Sequence, residues 1–92
     1  MLAVLSALTE ERYGYSLRQR LAKGGLEISE GTLYPLMRRL ESQGFLESEW
    51  RVSNERPRRY YRISKKGRSA LRTLTKEWRS LVTATEALLP PV

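Results

Sequence analysis

The apolar positions of this chain fall into helix-like blocks separated by polar or glycine-rich connectors, with one pair of strand-like runs. Met1 to Leu8 is almost wholly apolar, with Leu2, Leu5 and Leu8 at helical spacing, and predicts a short first helix. Thr9-Glu10-Glu11-Arg12 reads as a polar connector. A second helix is expected from about Tyr13, with Leu17 and Leu21 on one face and Arg18, Arg20 and Lys23 on the other. Gly24-Gly25 ends it, because glycine readily takes the left-handed backbone that closes a helix. Leu26 and Ile28 then bring the chain back towards the core.

A third helix begins near Ser29, a good N-cap, with Ile28 and Leu33 at the spacing of a hydrophobic staple. Leu33, Leu36, Met37 and Leu40 form an i, i+3, i+4, i+7 stripe, and Gly44 closes the helix. Pro35 would clash with the carbonyl four residues earlier if it lay in the helix interior. That residue is Gly31, and a cap at Thr32 would instead put Pro35 in the first turn.

Two period-two runs follow. Leu46, Ser48, Trp50 and Val52 alternate with Glu47, Glu49 and Arg51, and Arg59, Tyr61 and Ile63 alternate with Arg58, Tyr60 and Arg62. Residues 53–57 between them have the composition of a hairpin loop. Ser64 caps a last helix of about 25 residues by its pattern, ended by Pro90-Pro91. Its stripe is Leu71, Leu74, Trp78, Leu81, Thr85 and Leu88, flanked by Val82 and Leu89. A three-helix unit needs only a turn or two of this helix for its core, so the rest of the stripe calls for a cover.

Composition sharpens this picture. A chain of 92 residues is one small domain that buries only about 60–65% of its extended surface, which makes a second copy a natural source of further burial. Seventeen Lys and Arg against ten Asp and Glu give a formal charge of +7, which points to a polyanionic partner. There is no cysteine and no histidine, so disulfides, thiolate chemistry and the usual metal ligands are out, and no metal or cofactor is expected. No apolar run is longer than Met1 to Leu5, far below the roughly 20 residues of a spanning helix. No basic region precedes that run as in a secretory signal, so the expected location is cytoplasmic.

Helix, helix, helix, hairpin is the order of a winged helix-turn-helix, in which the third helix enters the major groove and the hairpin reaches the backbone or minor groove. The fold expected is therefore mainly α with a small β-hairpin, a DNA-binding unit over residues 1–64 and a long dimerisation helix over 65–92. Eight of the seventeen basic residues lie between 51 and 68, against the single acid Glu55. The expected wing contacts are Arg51, Asn54, Arg56, Arg58, Arg59 and Arg62. On the third helix, the positions off the apolar stripe are Ser29, Gly31, Thr32, Tyr34, Pro35, Arg38 and Arg39. Ser29 and Thr32 offer hydroxyls to phosphate, Gly31 allows close backbone approach, and Tyr34 and Pro35 offer apolar contact to thymine methyls. Arg38 suits a guanine or a phosphate, and Tyr34 also suits packing under the wing.

These residues resemble the PadR family of winged-helix transcriptional regulators. The resemblance rests on Tyr13-Gly14-Tyr15, on Gly31-Thr32-Leu33-Tyr34-Pro35-Leu36 with Arg39-Leu40 and Gly44, and on Arg59-Tyr60-Tyr61-Arg62-Ile63-Ser64 with Gly67. It covers residues 1 to about 85 and is closest to the small subfamily with one helix after the wing. It implies a homodimer on double-stranded DNA, bound to a pseudo-palindromic operator, usually as a repressor released by a small molecule. It also implies that the last helix packs on the partner's first and last helices. The dimer residues expected are then Leu2, Leu5, Leu71, Leu74, Trp78, Leu81, Val82 and Leu88. Trp78 falls where some small members of the family stack a flat aromatic effector; an ordinary dimer anchor is the other reading of it.

Other classes fit less well. A non-specific or architectural nucleic-acid-binding winged helix shares the charge pattern and differs only in selectivity. A membrane-surface protein lacks the amphipathic basic helix it would need. An enzyme is not expected, since Glu47 and Glu49 alone make no catalytic set.

Overall fold

The computed structural model describes residues 1–91. Its elements in chain order are α1 (Leu2–Ala7), β1 (Arg12–Tyr13), α2 (Gly14–Lys23), α3 (Glu30–Ser42), β2 (Leu46–Ser53), β3 (Arg56–Ile63) and α4 (Lys65–Leu88). The sheet is antiparallel with order β1-β3-β2. The mainly helical fold with a small sheet and a long last helix agrees with the sequence pattern. The third strand does not appear in that pattern: Arg12, the end of the expected connector, pairs with Tyr61, and Tyr13, expected to open the second helix, pairs with Tyr60. Two residues are too short to show a period, so only tertiary pairing makes them a strand.

One core joins the helices to the base of the hairpin. Val4, Leu5 and Leu8 meet Leu17, Leu21, Leu33, Met37 and Leu40, with Leu46, Tyr61 and Ile63 closing it from the sheet. Leu36 is only partly buried, and Leu26, expected to return to the core, is exposed. Both α2 and α3 end in the same hydrogen-bonded closure. Leu26 N donates to Leu21 O and Gly25 N to Ala22 O; Phe45 N donates to Leu40 O and Gly44 N to Glu41 O. Gly25 and Gly44 carry the positive φ this closure needs, +94° and +86°.

Two local expectations change. Ser29 occupies the N-cap position of α3, so Pro35 lies inside the helix, on an exposed face. The Ser29 hydroxyl donates to Thr32 Oγ1 (3.2 Å) and makes no backbone cap bond. The hairpin connection is also tighter than the loop expected over 53–57. Only Asn54 and Glu55 turn, both at positive φ (52° and 63°), and Pro57 pairs with Val52 in the ladder.

Ser64 does cap α4: its hydroxyl accepts from Gly67 N at 2.9 Å. Gly67 is buried against Phe45, where a Cβ would lie 2.1 Å from the Phe45 carbonyl oxygen. This contact fixes the angle at which α4 leaves the sheet. Its 24 residues span roughly 36 Å, and only the first half meets the core, through Ala70, Leu71 and Leu74.

Candidate nucleic-acid interface

The off-stripe residues of α3 share one exposed face. Gly31, Thr32, Pro35, Arg38 and Arg39 are exposed, as is Ser29 before them. Tyr34 is half-buried. Its ring lies on Gly14, where a Cβ would meet Tyr34 Cε1 at 2.8 Å, so the glycine between Tyr13 and Tyr15 makes room for the ring. Arg18 pairs with Glu30 (2.9 Å) and holds the turn between α2 and α3.

Register divides the hairpin side chains between two faces, because alternate residues of a strand point to opposite sides. Glu47, Glu49, Arg51, Arg58, Tyr60 and Arg62 share the outer face. There Arg51 pairs with both oxygens of Glu11 and with Glu49 (3.2 Å). Arg62 pairs with Glu11 (3.3 Å), Glu47 (3.3 Å) and Glu49 (3.6 Å). The hydrogen bond from Arg51, then its positive charge, holds the Glu49 carboxyl below the usual carboxylate range, with Arg62 adding to the effect. Two of the expected wing cations are thus already matched by carboxylates.

The inner face begins in the core with Leu46, Tyr61 and Ile63 and continues outward as Ser48, Trp50, Val52, Pro57 and Arg59. Burial raises the Tyr61 phenol above its ordinary value. Arg59 reaches α3: it donates to Glu41 (2.8 Å) and to the Ser48 hydroxyl (2.9 Å), and Ser48 also bonds Glu41. Its guanidinium lies against Tyr61 (5.4 Å) and Trp50 (5.8 Å). Arg58 lies on the Tyr13 ring at 4.5 Å.

Between this face, α3 and the start of α2 runs an open groove of about 700 Å³. Its lining includes Tyr15, Tyr34, Arg38, Trp50, Arg56, Arg58 and Arg59 and holds no carboxylate. Among the described residues no carboxylate pairs with Arg38, Arg39, Arg56 or Arg58. Asn54 and Arg56 are exposed at the tip. The sequence pattern did not single out Trp50, Glu11 or Glu41 for the site. The alternation only grouped Trp50 with Leu46, Ser48 and Val52, and no local signal links Glu11 to Arg51 and Arg62, 40 and 51 positions away, or Glu41 to Arg59, 18 positions away.

The residues expected at a dimer interface divide into two sets. Leu5 is completely buried in the core of the single chain, so it is not available to a partner. Leu2, Leu71 and Leu74 are half-buried. Trp78, Leu81 and Leu88 are 55%, 60% and 84% exposed, beside a half-buried Val82. Among the described residues there is no cluster of three or more carboxylates, histidines or cysteines for a metal, and no helix is long and apolar enough to cross a membrane.

This arrangement is that of a winged-helix transcriptional regulator. The chain belongs to the transcriptional regulator PadR-like family, whose model matches residues 1–73. It is 48% identical over 65 residues to a transcriptional regulator of Mycobacterium tuberculosis, covering 71% of this chain and 61% of that protein. It thus spans less than two thirds of that relative. A PadR family regulator from Eggerthella lenta has a similar structure, with TM-score 0.90 and 46% identity over 99% of this chain and 81% of that one. A PadR-like regulator from Bacillus cereus gives TM-score 0.89 and 32% identity over 99% of this chain and 91% of that one.

Proposed function

We propose that this chain is a sequence-specific DNA-binding regulator that acts as a homodimer, repressing from a pseudo-palindromic operator. Residues 1–64 bind DNA and residues 65–92 form the dimerisation helix; Val92 lies outside the described residues. The observation that carries the reading is the groove itself. Arg38 on α3 and Arg56 and Arg58 on the wing line it together, with no carboxylate in its lining and, among the described residues, no carboxylate paired with any of the three.

In this reading α3 enters the major groove, with Arg38 and Arg39 reaching bases or phosphates and Ser29 and Thr32 placed at phosphates by the helix start. The hairpin tip, with Asn54, Arg56 and Arg58, meets the backbone. Arg51, Arg59 and Arg62 hold the wing in place, each through its carboxylate partner. A second copy covers Trp78, Leu81 and Leu88, which supplies the burial a small domain lacks. A flat aromatic effector that releases the operator would stack on Trp78 at the dimer centre. The role implies a cytoplasmic location.

Competition binding tests the reading against a non-specific, architectural role. Labelled duplex carrying a selected site is titrated with the protein and challenged with random duplex. The reading expects specific binding tighter than random by about 10³-fold or more. Equal affinities would leave only the architectural role.

A further inference from the structure

Strand alternation places Trp50 and Val52 on the face that begins in the core, yet the hairpin carries them past it. They are 64% and 76% exposed, beside one another on the inner face of the wing. Large apolar side chains held together in solvent mark a surface that meets a partner. The setting narrows that partner. The Trp50 ring rests on the Arg59 guanidinium, and Arg59 is itself fixed by Glu41 and Ser48, so the indole sits on an anchored platform. Arg56 and Arg58 line the same groove, and no carboxylate is among its lining residues. A patch that is apolar at the centre and cationic at the rim complements a polyanion with apolar sugars and base edges inside its phosphates.

We infer that Trp50, with Val52 beside it, is a wing contact to DNA: an apolar wedge packed on deoxyribose and base edges in the minor groove next to the major groove that α3 occupies. The inference rests on the DNA-binding reading above and adds to it how the wing selects. A wedge makes no base-edge hydrogen bonds; it reads how easily a base step opens, so flexible pyrimidine–purine steps are favoured under the wing. Neutral Trp50 contributes affinity without contributing to the salt dependence, which belongs to the arginines.

The test uses the full chain and the selected duplex, with Trp50→Phe and Trp50→Ala. Trp50→Ala is expected to weaken binding about 10-fold, and Trp50→Phe by less, with the salt slope unchanged in both. The chain has two tryptophans, so in Trp50→Phe only Trp78 reports. The fluorescence change seen on adding DNA to the wild type is expected to shrink in that variant. Trp50→Phe keeps a ring in place and gives this reading even if the alanine variant folds poorly. Wild-type affinity in Trp50→Phe together with an undiminished fluorescence change would overturn the wedge and leave DNA binding standing. A wild type that binds no duplex would overturn both.

Discussion

Arg59 on β3 donates to Glu41 on α3 at 2.8 Å, which ties the wing to the end of the third helix. The Ser48 hydroxyl completes the link from β2. The wing and α3 are therefore joined by a partly solvated ion pair rather than by the core alone. Replacing Glu41 with Ala removes the carboxylate that accepts from both Arg59 Nη2 and the Ser48 hydroxyl, and leaves Arg59 only its bond to Ser48. The expected loss of stability is modest, about 1 kcal/mol, because water screens the pair. Operator preference is expected to fall more than stability does, since the wing would no longer keep its angle to α3. Urea unfolding and competition binding on the same variant separate the two effects.

The wing arginines should divide by their partners. Arg56→Ala and Arg58→Ala each remove a cation that has no carboxylate partner among the described residues. Each is expected to reduce the magnitude of the slope of log affinity against log salt by about 1. Arg51→Ala and Arg62→Ala should change that slope less, because Glu11 and Glu49 already hold these side chains on the outer face. Equal changes from all four positions in filter binding would show that the outer-face ion pairs open on DNA.

Two glycines are fixed by close approach. A methyl at Gly67 would stand 2.1 Å from the Phe45 carbonyl oxygen and 2.7 Å from Ile63 Cγ1, both in the packed base of the wing. Gly67→Ala should lower stability by about 3 kcal/mol, seen as a large fall in Tm. At Gly14 the methyl would meet the Tyr34 ring, which is half-exposed and can swing. Gly14→Ala should therefore keep most of the stability and disturb DNA binding instead.

The exposed half of α4 gives a clean test of assembly. Leu81 is 60% exposed, so Leu81→Arg adds charge without opening the single-chain core. Sedimentation is expected to show a dimer for the wild type and a monomer for Leu81→Arg with its helix content intact. A dimer in both would move the interface away from the α4 stripe. Leu74→Arg is less informative, because Leu74 also packs against the core.

Much of this architecture is legible in the sequence because it is written in local periods. The stripe from Leu33 to Leu40, the glycines after α2 and α3, and the Ser64 cap each specify their element within a few residues. The features that escape are those that depend on partners distant in the chain. Arg12-Tyr13 becomes a strand only by pairing with Tyr60 and Tyr61. The period that places Trp50 on the inner face is correct, but the sequence does not say that the core ends before it. The basic run from 51 to 68 points to the candidate site, while which of its arginines pair with carboxylates among the described residues depends on Glu11 and Glu41, which lie outside it.

Selection of bound duplexes from a random pool by the full chain tests the central claim most directly. A dimeric winged-helix regulator predicts strong enrichment of an inverted repeat, with half-site centres about one helical turn apart. Enrichment of a single unrepeated half-site, or no enrichment over the starting pool, would contradict it.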